Sequence, residues 1–306
     1  MMPVVALNRR FVEWGDKEPP DPAFRHVLRL GDGAIGWDEL LAKRRVVILA
    51  EAGSGKSTEI AKRARLLVAD GKRAFHATVE DVGRDGLEAA LSNAARADLA
   101  AWRASKEDAW FFIDSVDEAK AEGVRFKTVV RRLADGIDVA RSRAHVILSG
   151  RITDWEFRKD LESLTYGLPI LPDEEYRPAK TPEEELLRII RQEQRKENQP
   201  SPEGPFVALM APLDRERIRL FAERKGIPNL DSFLKQIEAA NLWHFAQRPL
   251  DLEWLVSFWQ NEKRLRLGLF AEMVERSVTE RLKEKNKDRS RKDNRCARSP
   301  VVRTLS

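Results

Sequence analysis

Apolar residues in the first two thirds of this chain come in short strand-like runs, at 46–50, 73–79, 110–114, 145–149 and 206–210. Each run is too short for a stable helix, and continuous ones such as WFFID at 110–114 have the pattern of strands buried on both faces of a parallel sheet. Between the first four runs, apolar positions recur at helical spacing over 56–69, 86–100 and 125–140. Strands alternating with helices predict an α/β fold: a parallel five-stranded sheet flanked by helices. From Leu213 onward the periodicity is helical throughout, over 214–226 with Gly226 as a C-cap, then 230–240, 249–259 and 267–285. This predicts a small all-helical lid domain over 213–286, after a sheet domain over 46–212.

Three segments stand outside this rhythm. Residues 1–45 read as a lead-in segment rich in Pro and charge, ending in a short amphipathic piece at 37–41 that packs on the sheet. Residues 153–204 carry prolines at 169, 172, 178, 182, 200 and 202 and a charged helix over 182–196, and read as a surface insertion. Residues 287–306 lose all periodicity and read as a basic, disordered tail.

The first strand runs into Ala50-Glu51-Ala52-Gly53-Ser54-Gly55-Lys56-Ser57-Thr58. Glycines at 53 and 55 let backbone amides turn inward around a phosphate. Lys56 supplies a charge for the β- and γ-phosphates, Ser57 a hydroxyl for Mg²⁺, and the helix opening at Lys56 its positive dipole end. The motif GxxxxGK[ST] has glycine where this chain has Ala50, a position alanine can fill if φ stays negative. The third strand ends in Asp114, at the carboxyl edge where open α/β sheets bind ligands, so Asp114 is the candidate second Mg²⁺ ligand. Asp117 and Glu118 follow, and either could orient or deprotonate an attacking water. The fourth strand ends at Arg151, whose guanidinium can stabilise charge on a transferring phosphoryl group. The expectation is a P-loop NTPase using ATP or ADP and Mg²⁺.

Composition changes this picture little. The formal net charge is +5, but residues 281–306 hold ten Lys/Arg against three Asp/Glu, leaving the other 280 residues at −2. The basic character therefore belongs to the tail, where nucleic-acid binding is the less favoured reading because no aromatics are interleaved. One cysteine, Cys296, excludes an internal disulfide and a cysteine metal cluster, and His26, His76, His145 and His244 have no ligand spacing. No apolar run approaches the length of a membrane span, and the N-terminal apolar stretch is too short for a signal peptide, so a soluble cytoplasmic protein is expected.

These motifs together resemble the NACHT family of STAND P-loop NTPases, signalling ATPases related to the AAA+ class. AEAGSGKST (50–58) is similar to the family's first motif, DSVDE (114–118) to its D-small-x-D-E, and LSGR (148–151) to its sensor strand and arginine. ALMAPLDRERIRLFAERKG (208–226) and QRPLDLEWL (247–255) extend the match more weakly, and the second implies that Pro249 packs near the adenine. Ala50 and the length of the 153–204 stretch depart from the family pattern. Family members usually add a C-terminal sensor and often an N-terminal effector, so the resemblance implies a switch module without those parts. It further implies ADP held in a closed state, exchange for ATP, self-association on activation, and a protein partner in signalling or defence. The alternatives are an AAA+-like motor acting on nucleic acid or protein, a small-molecule kinase, and a nucleotide-binding module that does not turn over.

Overall fold

A computed structural model describes residues 7–14, 33–114, 116, 125–170, 181, 183, 204–262 and 275. The chain divides into two compact units: Asn8–Pro212, and Leu213–Ser306 together with Met1–Leu7.

The first unit is built on a six-stranded sheet in the order β1-β6-β2-β5-β4-β3. Its strands are β1 (Phe11–Glu13), β2 (Arg45–Ala50), β3 (Arg73–Thr78), β4 (Ala109–Asp114), β5 (Ala144–Arg151) and β6 (Phe206–Met210). The five expected strands are all parallel to their neighbours, and β1 adds antiparallel to β6, with Phe11 opposite Met210. The expectation of five strands is therefore corrected to six. Three residues in a polar, proline-bearing segment give no periodicity of their own, and β1 exists because β6 offers it an edge.

Both faces of the sheet are covered, which is why its strands read as continuous apolar runs. On one face Val46, Ile48, Phe112, Ile147 and Ala208 pack with Trp37, Leu40, Ile60, Ala64 and Leu67 from helices Trp37–Ala42 and Lys56–Ala69. On the other, Val47, Phe75, Phe111, Ile113 and Leu148 meet helices Val79–Asp85, Asn93–Arg103, Phe126–Ile137 and Phe157–Gly167. The expected helix over 86–100 is broken into shorter pieces, because Gly86 takes a φ of +87° and Leu91 an extended conformation.

The stretch from 153 onward is not wholly a surface insertion. Trp155, Leu164 and Leu168 are buried in the main core, and Gly167 lets helix Phe157–Gly167 approach Val130, whose Cγ1 lies 2.5 Å from where a β-carbon would stand. The helix expected over 182–196, the one over 267–285 and the basic tail lie outside the described residues, apart from single positions.

The second unit packs helices Arg215–Arg224, Leu230–Ala239, Trp243–Ala246 and Pro249–Glu262 around Phe221, Phe233, Ile237, Leu252, Leu255 and Trp259. Its helix ends are fixed by short-range chemistry. The side chains of Asp214 and Asn229 accept from the amides of Arg217 and Ser232, and Gly226 takes a left-handed φ of +70° after the first helix.

Candidate functional site

Because β2 to β6 are parallel, their C-terminal ends gather on one edge of the sheet. Ala50 ends β2 there. Its φ is negative, its side chain is buried, and its methyl joins the cluster containing Ile60 and Met210. The motif's first glycine is thus replaced at a position in regular strand geometry, where a methyl fills core space.

The chain then turns over Glu51–Gly55. The amide of Ser54 donates to Glu51 O at 3.3 Å, and Gly53 and Gly55 have φ of +76° and +78°, conformations that only glycine adopts without strain. Gly55 is the N-cap of helix Lys56–Ala69 and offers no side-chain cap. The i→i−4 ladder begins with Glu59 N donating to Gly55 O, so the first-turn amides precede any intrahelical bond. These donors and the positive end of the helix dipole suit an anion.

Around this turn, Lys56 and Ser54 are buried, and the Ser54 Oγ has no hydrogen-bond partner. Ser57, Thr58, Glu51 and Ala52 are exposed. Trp37 braces the helix from outside, its Nε1 donating to Glu59 Oε1 at 2.8 Å while the Arg63 guanidinium lies 5.0 Å over its ring.

Asp114 ends β4 on the sheet face that packs helix Lys56–Ala69, and it is 4% exposed. Ser149 on β5, fully buried, donates its hydroxyl to Asp114 Oδ1. Strand order puts β5 between β2 and β4, and register sets Arg151 opposite Ala50. Arg151 is exposed. On β3, Thr78 lies opposite Asp114 and caps the following helix, accepting from Asp81 N at 3.1 Å. His76 keeps part of its surface in water, yet desolvation of the rest holds its imidazole below the ordinary range, against the opposing pull of the Asp114 charge.

Of the residues singled out from sequence, Ala50, Glu51, Ala52, Gly53, Ser54, Gly55, Lys56, Ser57, Thr58, Asp114 and Arg151 share one edge of one unit. Asp117 and Glu118 lie outside the described residues. Pro249 opens a helix of the second unit. Sequence reasoning missed Ser149. A serine inside a buried strand gives no signal of its own.

Among the described residues, no three His, Cys, Asp or Glu side chains cluster as a metal site. The hydroxyl of Ser57 and the carboxylate of Asp114 instead offer the sparse, hard-oxygen set that Mg²⁺ uses when ligand phosphates and waters complete its shell. The orphaned Ser54 hydroxyl and the turned amides fit a phosphate in the same way.

What fold and edge define is an α/β protein with a six-stranded, mostly parallel sheet flanked by helices. A scan against protein-family models finds no match, and a search of curated proteins finds none. Among the described residues no helix is long and apolar enough to cross a membrane.

Proposed function

We propose that this chain is a P-loop NTPase that binds an adenine nucleotide with Mg²⁺ and acts as a STAND switch of the NACHT type. The observation that carries the reading is the turn itself: two left-handed glycines, a buried lysine and a buried, unpartnered serine hydroxyl at the start of a 14-residue helix. Without an anion the Ser54 hydroxyl of this loop stays buried and unsatisfied, which folded proteins seldom tolerate.

In this reading the amides of Gly53 to Ser57 hold the phosphates, and Lys56 neutralises the β- and γ-oxygens. Ser57 and Asp114 would hold the cation, which when bound would supply charge neutralisation to the phosphates. Arg151 stands on the strand between the loop strand and the Asp114 strand, so its charge is available to the phosphoryl group undergoing transfer. Asp117 or Glu118 orients the attacking water. The adenine preference, the role of Pro249, self-association and a protein signalling partner come from the NACHT resemblance. A γ-phosphate contacted in only one state biases a two-state element, which is the physical basis of a switch.

The test is to purify the chain, denature it and identify the released nucleotide by mass spectrometry, beside Lys56→Ala. Stoichiometric adenine nucleotide in the wild type and none in the variant is expected. Equal content in both, or no binding by either after ATP and Mg²⁺ are added, would overturn the phosphate-loop reading. Glu118→Gln is expected to slow phosphate release while sparing binding. If only Asp117→Asn does so, Asp117 is the water-orienting residue.

A further inference from the structure

Ser149 sits on a strand face whose neighbours are apolar. Ile48 is its register partner on β2, and Ile147 and Phe112 join the same buried cluster. A hydroxyl in such a place costs free energy unless it is bonded, and alanine would suit the surroundings better. Ser149 is fully buried and spends its proton on Asp114 Oδ1. The next residue adds a second contact. A β-carbon on Gly150 would stand 3.3 Å from Val116 Cβ, so the missing side chain lets the segment after Asp114 settle close against β5. Two successive β5 residues therefore stand against positions 114 and 116.

We infer that Ser149 is a positioning residue for the cation-holding carboxylate, fixing Asp114 through Oδ1 so that Oδ2 is presented to Mg²⁺. The inference rests on the nucleotide reading above. It assigns β5 two jobs at the edge: Arg151 addresses the phosphoryl group, and Ser149 sets the metal ligand. A carboxylate that has lost this donor can rotate, and a rotated ligand weakens the cation without touching the phosphate cradle.

The experiment measures the affinity of a fluorescent ADP in Mg²⁺ and in EDTA, for wild type, Ser149→Ala, Ser149→Thr and Ser149→Cys, with melting temperature beside each. Ser149→Ala is expected to lose about tenfold of the Mg²⁺-dependent gain in affinity, the scale of one hydrogen bond to a charged group, with affinity in EDTA unchanged. Ser149→Thr keeps the donor and restores the gain. Ser149→Cys fills the same space with a weak donor and shows the loss even if the alanine variant fails to fold. In an Asp114→Asn background, Ser149→Ala is expected to add nothing, because its effect runs through that carboxylate. An unchanged Mg²⁺ gain in Ser149→Ala or Ser149→Cys, or an equal loss in EDTA, would overturn the positioning role and leave nucleotide binding standing. A wild type that binds no nucleotide under either condition overturns the nucleotide reading and this inference with it.

Discussion

The two edges of the sheet hold their buried charges in different settings. At the N-terminal edge, Arg45 is 4% exposed and donates to four carbonyls: Leu168 O at 3.0 Å, Arg44 O at 2.8 Å, Arg141 O at 3.2 Å, and Ala144 O. The acceptors at Arg141 and Leu168 lie at helix ends, where a cation also meets the negative end of the helix dipole. Beside it, buried His145 is bonded to Lys43 O at 2.9 Å and Arg44 at 2.7 Å, and stacks on Trp110. At the C-terminal edge, the Ser54 hydroxyl has no partner, and the charges of Lys56 and Asp114 lie buried. At the first edge Arg45 and His145 are bonded to backbone carbonyls of the fold. The second gathers a glycine turn, a buried lysine and a buried carboxylate, and that contrast is a better pointer to a site than any single residue.

The sharpest way to break the contrast is at Arg45. Arg45→Met removes the donor to four carbonyls, and unsatisfied buried acceptors put the loss at about 3 kcal/mol or more. For a unit of this size that lowers the melting temperature by about 6–12 °C. A thermal shift under 2 °C would show that water satisfies these carbonyls. Lys56→Met sharpens the contrast from the other side. It is expected to weaken nucleotide binding by about 10- to 100-fold, the scale of one or two charge-assisted bonds, and to change the melting temperature of the nucleotide-free protein less than Arg45→Met does, because methionine fills the same buried space. A large loss of stability in the nucleotide-free state would mean that Lys56 serves the fold.

A smaller effect is expected at Ala50. Ala50→Gly restores the motif's glycine, but it removes a buried methyl and loosens the end of β2, at a cost of about 1–2 kcal/mol by chemical denaturation. Nucleotide affinity is expected to stay within about twofold, since the residue lies before the turn that carries the amides. Tighter binding by the glycine variant would show that Ala50 restrains the loop.

How much of this was legible follows from how local each feature is. Strand β6 and helix Lys56–Ala69 match the ranges read from periodicity, because a continuous apolar run or a helical stripe declares itself within a few residues. The glycine turn was legible for the same reason, since two glycines and a lysine specify it without help from elsewhere. Strand β1 was not, because its pairing with β6 joins residues 11 and 210. Nor was the role of Trp155, Leu164 and Leu168, whose burial depends on meeting helix Phe126–Ile137. Ser149 escaped because a serine in a strand carries no signal until the neighbouring strand brings Asp114 to it. Local motifs marked the glycine turn, and only strand order brings Ser149 to Asp114.

The smallest effect belongs to pH and tests whether the N-terminal edge is as closed as its bonds suggest. Burial holds the His145 imidazole below its ordinary range. The Lys43 carbonyl and the Asp108 carboxylate oppose that shift, and the Arg44 charge adds to it. Arg44 approaches Nε2, so the neutral ring accepts there and donates from Nδ1 to Lys43. With the folded-state value below the unfolded one, the unfolded chain takes up a proton first as pH falls. Stability is therefore full above the ordinary imidazole value near 6.5 and declines as pH drops below it. His76 is shifted in the same direction, for desolvation of its own. Unfolding measured from pH 8 to 5 is expected to show this decline, His145→Gln to reduce the slope, and the His76→Gln/His145→Gln pair to flatten it. A slope unchanged in His145→Gln would mean that His145 takes up its proton without disturbing Arg44, and that this edge opens to water more readily than its partner does.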